Sequence, residues 1–168
     1  MKDQIVNRVA NSVLVTIDLE ELYPVQSRKL LDISPWLYEG IVLREKEFRA
    51  HLAAHDWSQY KDSFVALGCA TDAIIPGWAY MLIATYLQPY ALLTQVGDVA
   101  QLEKAIIDDL ISNLDVSQYK DVPVIIKGCS DKDIPDNAYV QLTQKIMTVA
   151  KSVMYGEACS SVPLYKKR

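Results

Sequence analysis

Two stretches of this chain repeat each other, and no other feature limits its fold so strongly. "GCATDAIIPGWAY" (Gly68–Tyr80) and "GCSDKDIPDNAY" (Gly128–Tyr139) each run Gly-Cys, a short polar loop, Ile-Pro, then Ala-Tyr. The first loop is one residue longer. From the prolines onward no gap is needed. Pro76 matches Pro135, Ala79 matches Ala138, Tyr80 matches Tyr139, and Gly97-Asp98 matches Gly156-Glu157. "SFVAL" precedes the first Gly-Cys and "VPVIIK" the second. Such β-branched and aromatic runs read as strands. Proline suits the first turn of a helix, where its missing N–H has no partner to lose, so Pro76 and Pro135 are expected to start helices. "ALLTQV" and "SVMY" follow as strands that end at glycine. Each copy therefore reads β-loop-α-β, and the right-handed crossover rule makes its strands parallel.

The expected fold is α/β: a sheet with parallel strands built from two duplicated βαβ units plus an N-terminal strand and helix extension. It is read as a single domain over 1–168. The extension covers 1–58, the first repeat 62–98, a linking helix 99–114, the second repeat 121–157 and a C-terminal tail 158–168. In the extension "VLVTIDL" and "RKLLDI" read as strands. Ser34-Pro35 reads as a cap followed by proline at the first helical position. A helix is expected through "REKEFRAHLAAHDW", with Ile41, Phe48 and Leu52 on one face.

The first repeat is also the most apolar part of the chain. Ala73 to Gly97 is a run of 25 residues without a formal charge, long enough to cross a bilayer. Its copy carries Asp136, Gln141, Lys145 and Lys151, and the run itself contains Pro76, Gln88 and Pro89. A buried helix and strand, with part of the apolar surface as a homodimer interface, explains it better than a membrane span. The chain of 168 residues has 51% hydrophobic and 23% charged residues, as soluble globular proteins do. A net charge of −4 gives no attraction to phosphate backbones, so nucleic acid is not an expected partner. "MKDQIVNRVANSVLV" lacks the apolar core and cleavage site of a signal peptide, and a cytoplasmic location is expected. Lys166, Lys167 and Arg168 read as a solvated basic end.

Three cysteines in such a compartment point away from a disulfide framework and toward thiol or metal chemistry. Ligands of parallel α/β sheets gather outside the carboxyl ends of the strands. Cys69 and Cys129 are expected just past the strands of the two repeats, and Cys159 past the end of the last strand. His51 and His55 stand four apart on the expected helix and can share a face; His55 falls in the apolar stripe with Phe48 and Leu52 and points inward. Thiolates and imidazole suit zinc or iron. The candidate ligand set is Cys69, Cys129, Cys159 and His55, with His51, Asp72, Asp131 and Glu157 as further ligands or lining.

Two other readings compete. Cys69 or Cys129 near a helix N-terminus could be a nucleophile acting on a small molecule, with His55 as base and Asp72 as its orienter. Alternatively the cysteines are small buried hydrophobes of a structural or interaction module, with no metal at all. Tyr80, Tyr139 and the tryptophans Trp36, Trp57 and Trp78 read as packing. No Walker loop, G-x-G-x-x-G, G-x-S-x-G or H-E-x-x-H is present.

"HDWSQYKD", "GWAYMLIATYLQPY", "GCSDKDIPDNAY" and "SVMYGEACSSVPLYK" resemble a bacterial family, the domain of unknown function 2480 family, over nearly the whole chain. The family has no established activity. The resemblance implies a context of iron–sulfur cluster assembly and an accessory role in handling iron, sulfur or clusters, with iron–sulfur assembly proteins as partners. Within the matching stretches it draws attention to Cys129, Cys159 and His55.

Overall fold

The computed structural model describes residues 14–128, 132, 134–157 and 159–168. The chain is a mixed α/β protein with parallel strands. It divides into two compact units, Pro24–Ile106 and a second made of 1–23 with Ile107–Arg168. No helix among the described residues is long and apolar enough to cross a membrane.

The unit spanning Pro24–Ile106 is built on a sheet of β2 (Arg28–Asp32), β3 (Phe64–Gly68) and β4 (Leu93–Val96), in that order and all parallel. The first four residues of β3 are buried. A central parallel strand is covered on both faces, so it reads as a continuous apolar run rather than an alternation. On one face α3 (Gly77–Leu87) buries Ala79, Ile83 and Leu87, and α2 (Glu45–Ala54) buries Phe48 and Leu52. On the other, Leu102 and Ile106 of α4 (Val99–Asn113) pack with Phe64 and Ala66. Pro76 and Pro135 each stand one residue ahead of the first helical residue.

The other unit holds β1 (Val15–Ile17), β5 (Pro123–Ile126), β6 (Ser152–Glu157) and β7 (Ser160–Lys166) in the order β1-β5-β6-β7. The first three are parallel and β7 is antiparallel to β6. A short α1 (Leu19–Leu22) follows β1, and α5 (Asp136–Ile146) lies between β5 and β6. Ile107 and Ile111 of α4 pack with Val124, Ile126, Leu142 and Val153.

Several expectations are corrected. The tail 158–168 is not a tail, since Ser160–Lys166 is β7; Gly156, at φ 120, lets the hairpin close where a Cβ would meet the Ser160 carbonyl at 2.6 Å. Lys166, Lys167 and Arg168 are exposed, as expected of a solvated basic end, and Lys167 Nζ lies 2.8 Å from an exposed Asp121. Ser34 is not a cap: Ile33 takes that place, and Ser34–Trp36 is one turn of 3-10 helix. Ile41 is exposed and lies outside α2.

The expected helix through 44–57 ends at Ala54, with His55 extended at φ −75 and ψ 139. Two bonds set that end. Asp56 accepts from the Ser58 N–H at 3.0 Å and starts a separate 3-10 turn, Trp57–Tyr60. Trp57 Nε1 donates to the Leu52 carbonyl at 2.8 Å, pairing one of the oxygens that a helix C-terminus leaves over. His51 and His55 therefore do not form an i, i+4 pair on one helix.

Candidate functional site

The carboxyl edge of β2, β3 and β4 carries a cleft of about 480 Å³. This is where the loops leaving parallel strands leave room for a ligand. Leu30, Leu67, Val96 and Ala73 supply apolar wall; Asp32, Cys69, Tyr80 and Asp98 supply the chemistry.

Asp32 closes β2. Its Oδ1 accepts the N–H groups of Ser34 at 2.9 Å and Ala70 at 3.0 Å, and its Oδ2 accepts the Ser34 hydroxyl at 2.7 Å. Burial pushes this carboxyl up, and the bonds from Ser34 and Ala70 outweigh that, leaving it below the usual carboxylate range. An ionised Asp32 thus ties the exit of β2 to the loop after β3.

That loop holds Cys69 and Thr71. The Thr71 hydroxyl donates to the Gly40 carbonyl. Its oxygen is then left to accept, so the Cys69 thiol, 3.3 Å away, is the donor of the second bond. Gly40, at φ 72, supplies the left-handed turn that brings its carbonyl there. Tyr80 comes from the first turn of α3; burial pushes its hydroxyl up, and the neighbouring Cys69 adds to this. Asp98 caps α4: it accepts from the Gln101 N–H at 2.8 Å while its own N–H donates to Gln101 Oε1 at 2.9 Å, a reciprocal capping box. Gly97, at φ 130, permits this, since a Cβ there would lie 1.9 Å from Gln101 Oε1. Among the described residues, none that lines the cleft is basic.

His55 lies elsewhere. It sits among the rings of Trp57 at 4.8 Å, Trp36 at 5.1 Å and Tyr60 at 5.7 Å. Gln59 Nε2 donates to the Asp56 carbonyl at 2.7 Å and approaches His55 Nε2 at 3.3 Å; the Tyr60 hydroxyl approaches the same nitrogen at 3.1 Å. An amide nitrogen only donates, so His55 Nε2 is the acceptor and the neutral ring carries its proton on Nδ1. Burial pushes this imidazole below its ordinary value, opposed by Asp56. Tyr60 leads into the amino end of β3, whereas Cys69 follows its carboxyl end, a strand length of ~16 Å. His55 is not among the described residues that line the cleft.

Of the other candidates, His51 and Asp72 are exposed. Cys159 is exposed in the turn between β6 and β7, and Glu157 ends β6; the strand before Cys159 is not the last one. Cys129 and Asp131 lie outside the described residues. Among the described residues, no group of three or more His, Cys, Asp or Glu is placed to hold a metal ion.

The sequence reading missed Asp32, Thr71 and the role of Gly40. Asp32 had a signal. Asp-x-Ser occurs at Asp32-Ser34, Asp56-Ser58 and Asp115-Ser117, and each aspartate accepts both the backbone N–H and the hydroxyl of its serine. Such Asx turns mark where a chain changes direction. Thr71 had none, because its partner Gly40 is distant in sequence.

A family model described as "Protein of unknown function (DUF2480)" matches residues 3–167. No curated protein and no solved structure matches the chain.

Proposed function

Since the chain belongs to the DUF2480 family, whose description names no activity, we propose a function from its own residues: a thiol-site protein that takes a small neutral or cationic ligand at the carboxyl edge of β2, β3 and β4. One observation carries this reading: Cys69 lines a cleft whose charged members, Asp32 and Asp98, are both carboxylates. Anions find no counter-charge among the described lining residues, and the N-terminus of α4, which could otherwise attract one, is already capped by Asp98 and Gln101. The thiol would serve as nucleophile toward a small electrophile.

The second reading keeps zinc or iron as what the Cys69 thiolate takes, in transfer rather than in a closed structural site. The carboxylate lining favours it, since the same charges attract cations. It would suit an accessory role beside iron–sulfur assembly proteins.

The reading also includes a duplication. The order β3-α3-β4 is matched by β5-α5-β6. Asp62 and Asp121 enter the first strands at φ 54 and 57, and Gly97 and Gly156 stand at φ 130 and 120, with the same number of residues between in each copy. Position by position, this supports a second carboxyl edge at β1, β5 and β6 built to a similar plan.

Alkylation tests the main reading. Cys159 is exposed and serves as reference within the same chain. Iodoacetamide and a cationic methanethiosulfonate should modify Cys69 at least about tenfold faster, relative to Cys159, than the anionic reagents iodoacetate and sulfonatoethyl methanethiosulfonate do. Equal preference at both cysteines would overturn the ligand class. For the metal reading, the chain is purified without oxygen and its zinc and iron are counted. Below about a tenth of an equivalent after reconstitution, that reading fails.

A further inference from the structure

Helix α3 buries Ala79, Ile83 and Leu87 and carries no charged residue. Its outward side is apolar as well: Met81 is 72% exposed, Trp78 is 38% exposed, and Leu82 and Thr85 lie beside them. With Glu45 and Arg49 of α2 these four line a groove of about 420 Å³. A helix face that meets only water is ordinarily polar, and a cluster of large exposed apolar side chains marks a contact surface.

The chain contains its own comparison. Counted from their prolines, α5 places Asn137, Val140, Gln141 and Gln144 where α3 places Trp78, Met81, Leu82 and Thr85. Gln141 is held by Asp108 at 2.6 Å. Three of the four α5 positions are amides. The same kind of helix, following the same Ile-Pro, is thus compatible with a polar face, and the apolar face of α3 is not demanded by its own packing.

The rim identifies the occupant. Glu45 and Arg49 stand one turn apart on α2, with Arg49 Nε 2.9 Å from Glu45 Oε1, and both side chains are more than half exposed. A two-fold axis lying across α2 and α3 in the plane of contact sets each helix antiparallel to its copy. Glu45 of one copy then faces Arg49 of the other, twice, along the α2 side of the apolar patch. The surface is complementary in charge to itself, as an isologous interface requires, and its α3 side is aromatic and Met-rich beside a charged border. We propose that the α2–α3 groove is the interface of a symmetric homodimer, filled by the same groove of a second copy.

Sedimentation velocity over a range of concentrations tests this. The wild-type chain should sediment as a dimer. Met81→Glu should raise the dimer Kd at least about tenfold, while Val140→Glu at the matching place on α5 leaves it unchanged. Glu45→Arg and Arg49→Glu should each weaken the dimer, and the double exchange should restore it. Circular dichroism of each variant separates dissociation from unfolding; if Met81→Glu unfolds, Thr85→Glu replaces it. A wild-type monomer at the highest concentration reached overturns the proposal. So does a dimer that survives substitution in the groove, or one weakened equally from α5.

Discussion

The carboxylate of Asp32 accepts the backbone N–H of Ala70 at 3.0 Å and joins the exit of β2 to the loop that carries Cys69. Two adjacent parallel strands end level with each other, Asp32 opposite Gly68, so the side chain of one can pin the departing backbone of the other. Asp32→Ala removes the acceptor for three donors and should cost about 1–2 kcal/mol, measured by urea unfolding. Asp32→Asn keeps one oxygen acceptor and should recover part of that loss. Equal stability of Asp32→Ala and wild type would show that the bonds are replaced by water without cost.

Thr71 holds the Cys69 thiol from one side and the Gly40 carbonyl from the other. Thr71→Val keeps the volume and removes both bonds. Alkylation of Cys69 at fixed pH should then quicken several-fold, because the sulfur loses its hydrogen-bond partner and the loop that carries it loses its tie to Gly40. Peptide mapping by mass spectrometry, with Cys159 as reference, reads the change. Thr71→Ser should behave as wild type.

His55 makes stability depend on pH near neutrality. Its imidazole is held below its ordinary value by burial, so between the unfolded and folded values the unfolded chain binds the proton and the folded chain does not. Stability is therefore fully present above about pH 6.5 and falls as pH drops toward the folded value. The Tm should fall by a few degrees from pH 7 to pH 5, and His55→Gln should remove most of that slope. Identical slopes in both proteins would place the pH dependence on another group.

Asp18 makes stability depend on pH in acid. The bond from Lys127 at 2.6 Å, with the Glu20 N–H as a second donor, holds its carboxyl below the usual range. Its contribution is present above about pH 4 and is lost as pH falls through the lowered folded value. Asp18→Asn should be less stable at pH 7 by about 1 kcal/mol, the ordinary worth of such a cap and charged bond, and should converge on wild type near pH 2. A constant gap across that range would mean the loss is one of packing.

What the sequence could tell depended on how far apart the interacting residues lie. The strand-helix-strand orders β3-α3-β4 and β5-α5-β6, the apolar run of β3 and the helix α4 were legible, because each follows from neighbours within a turn or a strand. The Asp98–Gln101 cap was local too. The end of α2 was not: periodicity carries straight on through His55, and only the bonds of Asp56 and Trp57 stop it. β7 was mistaken for a tail because Pro163 and the two serines weaken its strand pattern, while its pairing with β6 is made by position in the fold.

The sequence by itself determined the α/β class, the βαβ order and the arrival of Cys69 at the carboxyl edge of a strand. These rest on backbone preferences that short segments carry with them. Only the tertiary structure decided that His55 joins an aromatic cluster near the amino end of β3, and that Asp32, Thr71 and Gly40 build the surroundings of Cys69. Those contacts join residues from separate loops, and a hydrogen bond between distant segments leaves no spacing in the chain from which to read it.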